Sequence, residues 1–168
     1  MENAHQIALR EWITKGLNIP EVREFNGDAK YLLNNMIAKY TSFNSNYNIS
    51  KKAHILLKKN NIDLSKVYSR RKFYGKDKPY IYEHTIPSTV KRNELLKTDQ
   101  DESSIKNILQ AGGVTLLLRE EDKKLKELNL NSKMPEGWNF HLDYKIRYDK
   151  AGIVLSKYIL KVKGGVVR

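Results

Sequence analysis

The segment Val114–Leu118 constrains the fold most, because it places a short, mostly apolar run directly after Gly112 and Gly113. An apolar run of this length bounded by glycine is typical of a buried β-strand, whereas a membrane-spanning helix needs about 20 apolar residues in a row. No stretch of the chain approaches that length. The segment therefore predicts a sheet with at least one buried strand. The absence of any longer apolar run predicts that the chain has no membrane-spanning helix.

Helical periodicity dominates the N-terminal part, residues 1–66. Apolar side chains recur there at three- and four-residue intervals, which predicts amphipathic helices. Ser50 is a favourable N-cap for the third of them. The Asn- and Ser-rich stretch 41–50 is expected to be a loop. The predicted helices are 7–16, 28–40 and 51–60.

Residues 67–168 combine strand and helix patterns. Alternating or continuous apolar runs predict strands, and the segments between them carry helical periodicity. The fold class is therefore α+β, with an N-terminal helical part followed by a small mixed unit of about three strands and several helices. The boundary lies near Val67, and one compact body is expected because a 66-residue helical part alone has a marginal core. The predicted strands are 79–82, 114–118 and 158–162, and the helices are 88–96, 103–110, 119–128 and 144–151.

The charge balance indicates a polyanionic partner. Among 168 residues, 31 are Lys or Arg and 19 are Asp or Glu, a formal net charge of +12. Nucleic acid, DNA before RNA, is the partner that such a charge favours, although a lysine-rich surface without a partner also fits. A homodimer or a protein partner stays open. The chain has no cysteine, which removes disulfides, thiolate nucleophiles and cysteine metal sites. The first residues lack the regions of a secretory signal, and a cytoplasmic location is expected.

A run of cations and aromatic residues opens the second part. Cations bind phosphates, and aromatic faces stack on unpaired bases. Five phosphate contacts predict a slope of about −4.5 for log affinity against log salt on duplex DNA. Alternation along the strand turns Tyr80 or Tyr82 toward the core, so part of the set is structural. The predicted nucleic-acid-binding residues here are Arg70, Arg71, Lys72, Tyr74, Lys76 and Lys78.

Two lysine pairs mark the predicted third helix. Lys51 and Lys52 lie seven residues before Lys58 and Lys59, so both pairs project from one side of a helix. This side is either a surface that follows phosphates or a plain solvated face.

The sharpest local motif is Tyr82-Glu83-His84-Thr85-Ile86-Pro87. A carboxylate beside a histidine, followed by Pro87, resembles the core of the HNH, or ββα-metal, nucleases. The resemblance implies that Glu83 holds Mg²⁺ or Mn²⁺, which prefer oxygen ligands. It also implies that His84 takes a proton from the attacking water. Adjacent strand residues point to opposite faces, so a shared site requires the backbone to leave strand geometry at this point.

Residues further along the chain complete that family's motif. By the resemblance, Asn131 and Asn139 are the candidate catalytic partners of His84, and His141 is a second metal ligand. The polar ends of Asn139, His141 and Arg147 are candidates to approach His84 in space, which the sequence alone does not establish. The predicted function is therefore DNA binding with metal-dependent phosphodiester cleavage, in a restriction, phage or mobile-element endonuclease. One alternative is a non-catalytic protein that binds nucleic acid or a nucleoprotein, such as a phage-encoded inhibitor or accessory factor. A second is a metal-independent RNase toxin.

Overall fold

Five strands form one mixed sheet in the computed structural model, which describes residues 2–24, 27–97 and 101–163. The spatial order is β2-β5-β1-β4-β3. β1 runs parallel to β4 and antiparallel to β5, while β3 closes the far edge antiparallel to β4. The strands are β1 (Asn46–Ser50), β2 (Val67–Tyr68), β3 (Tyr80–His84), β4 (Val114–Leu118) and β5 (Leu155–Val162).

Eight helices surround the sheet in the described part of the chain, and the predicted α+β class is confirmed. None of these helices is both long enough and apolar enough to cross a membrane. The helices are α1 (Ala4–Leu17), α2 (Pro20–Glu24), α3 (Asp28–Ser42), α4 (Lys51–Lys59), α5 (Ser88–Leu95), α6 (Glu102–Gln110), α7 (Arg119–Glu127) and α8 (Ile146–Lys150).

The stretch 41–50 holds the central strand of the sheet, so the prediction of a loop there is wrong. Tyr47 and Ile49 are fully buried, and the polar residues between them conceal this alternation in the sequence. Pairing on both edges stabilises a strand that its Asn and Ser content does not favour. Because β1 lies between β4 and β5, the helical first part and the mixed second part share one sheet.

Local signals predicted several element ends correctly. The Ser50 hydroxyl accepts a hydrogen bond from the backbone N–H of Ala53 at 3.0 Å and caps α4 as expected. Gly112 precedes β4 with a φ of +73°, and a Cβ there would lie 3.1 Å from the Ile86 side chain. Glycine is therefore required at this close approach.

Three apolar clusters hold the elements together. One covers the sheet face under α4 and includes Tyr47, Phe73 and Tyr80. A second joins α1, α3, α5 and α6. The third lies on the opposite sheet face, where Leu117 packs with Tyr148 and residues of α7. Alternation along β3 therefore sends Tyr80 and Glu83 to different faces.

Candidate nucleic-acid interface

The basic segment, defined here as residues 67–80, is anchored by its aromatic residues. It runs from β2, at one edge of the sheet, through a single 3₁₀ turn at Arg70–Lys72 to β3 at the opposite edge. Phe73 is buried, and its ring meets those of Tyr68 and Tyr80 edge to face, with centroids at 5.5 and 5.9 Å. Such pairs fix the backbone on which the cations stand.

Arg70 packs against the protein and is half-buried. Its guanidinium carbon lies 5.7 Å from the Tyr47 ring centroid and 5.1 Å from that of Tyr82. Its Nη1 also donates to the backbone oxygen of Ser42 at 3.4 Å. Arg70 thus ties the basic segment to the end of α3, and the prediction that it binds phosphate stays a prediction.

Tyr74 is the exposed aromatic residue of the basic segment, with 62 % of its surface accessible. Its ring stacks on Tyr82 with centroids 6.1 Å apart and an angle of 19° between the planes. One face of the Tyr74 ring therefore packs on Tyr82, and the rest of the side chain is exposed to solvent. Tyr82 is in turn fixed by its hydroxyl, which donates to the Arg70 backbone oxygen at 3.0 Å.

Arg119 holds the turn that carries the last two cations of the segment. Its Nε donates to the Lys78 backbone oxygen at 2.7 Å, and its Nη2 donates to the Gly75 backbone oxygen at 2.7 Å. Because the planar guanidinium of Arg119 binds two carbonyl oxygens at once, it limits how far this turn can move. Both contacts are to backbone oxygens, so neither involves the charged side chains of Lys76 and Lys78.

Positive charge dominates the exposed surface of the basic segment. Its five cations face one carboxylate, that of Asp77. Four of the cations are exposed, and the Nζ of Lys72 also lies 4.2 Å from the Tyr68 ring centroid. The exposed cations are Arg71, Lys72, Lys76 and Lys78.

The four lysines of α4 are all exposed. Lys52 forms an ion pair with Glu120, with Nζ and Oε1 2.8 Å apart. That neighbouring carboxylate weakens the positive field on this side, so the α4 lysines make a poorer phosphate surface than the basic segment. Phosphate binding by Lys51, Lys52, Lys58 and Lys59 stays a prediction.

Glu83, the predicted metal ligand, is bound within the protein. Arg147 donates to its two carboxylate oxygens at 2.6 and 2.8 Å, and the Tyr148 hydroxyl donates to it at 3.1 Å. Arg147 is fully buried and donates also to the backbone oxygens of Leu130 and His84. Burial raises the pKa of Glu83, and Arg147 opposes that shift. A metal ion at Glu83 would have to displace this guanidinium.

His84, the predicted general base, faces the other side of β3. The strand stays regular here, with Glu83 opposite Thr115 and His84 opposite Val114. The Nε2 of His84 lies 3.2 Å from the Ala38 backbone oxygen and, because a carbonyl only accepts, it donates. Burial and the charge of Lys91 lower its pKa to about 4, which keeps the ring neutral at neutral pH. Glu83 and His84 therefore do not share one site.

The remaining candidates lie at the surface of the segment 131–145. Asn131 is exposed. The Asn139 side-chain oxygen accepts from the His141 backbone N–H at 2.9 Å, a local turn contact. Asn139 and His141 line a shallow cavity of about 280 Å³ against α5, and neither Glu83 nor His84 lines it. Within the described ranges no group of three or more His, Cys, Asp or Glu side chains is arranged to hold a metal ion.

The structure contains two features that the predictions from the sequence do not include. The clamp by Arg119 links residues more than 40 positions apart, so no local pattern reveals it. Lys91 is fully buried, and its Nζ donates to the Leu109 backbone oxygen at 2.8 Å. Its position four residues before buried Leu95, on one side of α5, is the signal that indicates a lysine facing the core.

The fold and its surface define a mixed α/β protein in which a basic and aromatic segment connects the two edge strands of the sheet. No family model, curated protein or solved structure matches the chain. The functional conclusion therefore depends on the chain's own residues.

Proposed function

We propose that this protein binds nucleic acid without cleaving it, through the basic segment 67–80. The observation that carries the proposal is the pairing of Tyr74 with four exposed cations on a backbone held by Phe73 and Arg119. Cations on a fixed backbone meet phosphates with little loss of conformational freedom, and release of counterions drives the association.

The ion pair between Glu83 and Arg147 favours binding without cleavage. In the nuclease hypothesis Glu83 offers its oxygens to Mg²⁺ or Mn²⁺, yet both oxygens already accept hydrogen bonds from a buried guanidinium. Removing one partner of such a pair is strongly unfavourable. His84 points away from Glu83, so its neutral ring lies outside the reach of a water held there. Metal-dependent cleavage of DNA and metal-independent cleavage of RNA remain the outcomes that the test must separate.

The test measures binding and cleavage together. Labelled DNA and RNA, single-stranded and duplex, are titrated with the protein in Mg²⁺, Mn²⁺ or EDTA, and the same samples are run on a denaturing gel. We expect equal binding with and without the metals and intact strands throughout. DNA cleavage that EDTA abolishes would restore the nuclease hypothesis, and RNA cleavage that resists EDTA would support the toxin alternative.

A matched pair of variants locates the surface. The first replaces Arg71, Lys76 and Lys78 by Gln, and the second replaces Lys133, Lys145 and Lys150, which are exposed on another part of the fold. Both lose three positive charges. The first should lose most of the affinity and the second little, whereas an equal loss in both would mean that net charge alone drives the binding.

A further inference from the structure

We propose that the nucleic acid is bound as a single strand, along a path from Tyr74 past Arg70 and Lys39 to Trp12. This inference rests on the proposed function and adds to it the form of the ligand and a second contact region.

Tyr74 supplies the first reason for a single strand. Its ring is exposed and backed by Tyr82 at 6.1 Å, so its outer face is open to a planar partner. Bases in a duplex are already stacked and paired and offer no face to such a ring. An unpaired base does, and stacking of this kind tolerates any base sequence.

An apolar groove continues from the basic segment along α3. Arg70 contacts the backbone oxygen of Ser42, and Ser42 lines a groove of about 440 Å³ together with Lys39, Met36 and Leu9. These last three residues also line a neighbouring cavity of about 330 Å³, whose wall includes Trp12. Shared residues thus connect the cavity beside Trp12 with Ser42, the residue that Arg70 contacts.

Trp12 supplies the second reason. It is 72 % exposed, the largest exposed fraction among the large apolar side chains described. An apolar groove with an exposed indole also suits a helix of a partner protein. Here Lys39 lines both cavities and Arg70 stands at the groove's end, which places positive charge between two exposed aromatic rings. Alternating cations and stacking rings match a single strand, in which phosphates and bases alternate.

The experiment compares strand forms and two aromatic positions. A fluorescein-labelled 16-nucleotide thymidylate strand, its RNA counterpart and a 16-base-pair duplex are titrated with the wild type, Tyr74→Ala, Trp12→Ala and the control Tyr158→Ala. Tyr158 is a 48 % exposed tyrosine on β5 that lies beside Lys157 and against the His54 ring of α4, and it lines neither of the two cavities. Anisotropy should show tighter binding of the single strands. Each of the first two variants should weaken that binding by about 5- to 150-fold, and the control should not.

Intrinsic fluorescence gives an independent measurement. The chain has two tryptophans, so Trp138→Phe leaves Trp12 as its single indole. Stacking of a base should quench its emission in proportion to the bound fraction. If Trp138→Phe does not fold, anisotropy with Trp12→Ala still decides the same point.

The possible outcomes distinguish the single-strand inference from the proposed nucleic-acid binding on which it rests. Equal or tighter binding of the duplex by the wild type overturns the single-strand inference and leaves nucleic-acid binding standing. If Trp12→Ala binds single strands as tightly as the wild type does, the proposed path is wrong. The groove would then suit another occupant, such as a partner helix. No binding to any strand overturns both proposals.

Discussion

Arg147 and Glu83 form a buried bidentate ion pair between α8 and the end of β3. The Nη2 of Arg147 donates to one carboxylate oxygen at 2.6 Å, and Nη1 donates to the other at 2.8 Å. Arg147 has no exposed surface, and its Nε binds the Leu130 backbone oxygen at 2.6 Å. The pair therefore joins the edge strand, the loop before residue 131 and α8 into one unit, and we expect its role to be structural.

Glu83→Leu should destabilise the fold by about 3–5 kcal/mol, because it leaves the guanidinium of Arg147 buried without a countercharge. The double variant Glu83→Leu with Arg147→Met removes both charges and should be more stable than the single variant. Urea denaturation of the wild type and both variants gives the comparison. A single variant as stable as the wild type would contradict the structural role and favour Glu83 as a free ligand.

The stability of the protein should fall as the pH drops from 6.5 toward 4, with His84 as one cause. Burial lowers the pKa of His84 to about 4 from an ordinary value of 6.5. Within this window the unfolded chain binds more protons than the folded one, so acid favours unfolding. His84→Gln keeps a donor for the Ala38 backbone oxygen and should reduce the drop in thermal midpoint between pH 7 and pH 5. An unchanged drop would mean that His84 titrates normally.

Lys91 should give the protein a second pH dependence, between pH 7 and 9.5. Burial lowers the pKa of Lys91 to about 7 from an ordinary value of 10.5. The unfolded chain again binds more protons in this window, so stability should rise with pH. In Lys91→Met the rise in urea midpoint should be smaller. Thr41→Val, which removes a weaker acceptor 3.4 Å from the Nζ of Lys91, serves as the control that keeps the charge.

The salt dependence of duplex binding should reflect the four exposed cations of the basic segment, and that of single-strand binding should reflect Arg70 and Lys39 as well. Four contacts give a slope of about −3.6 on duplex DNA, and six give about −4.2 on single strands. Lys76→Gln with Lys78→Gln should flatten the single-strand slope by roughly 1.4. Affinity titrations between 50 and 300 mM salt test this, and a slope near zero would end the electrostatic explanation.

Arg119→Lys should weaken binding without changing the salt slope. The variant keeps the positive charge but loses the fork that holds the backbone oxygens of Gly75 and Lys78. The turn then moves more freely, and ordering it on binding costs conformational entropy. Lys123→Arg on the exposed side of the same helix is the control. If affinity stays at the wild-type value, the clamp does not position the turn.

The structural features that the sequence predicts correctly depend on residues that lie close together in the chain. The cap at Ser50 and the strand Val114–Leu118 both follow from local spacing, and the structure contains them. The partner of Glu83 lies 64 residues away, so no local pattern could identify it. β1 was missed for a related reason, because its stability comes from pairing with β4 and β5.

The central position of β1 has a consequence for how the chain matures during synthesis. Asn48 pairs with Thr115 on one side and with Ile159 on the other. At about 5–20 residues per second, a ribosome adds the second neighbour roughly 6 to 22 s after it has added Asn48. Until then the strand carries an open edge that other nascent chains can pair with. Productive folding therefore waits for the segment that forms β5, and truncation before Leu155 should yield an aggregation-prone product.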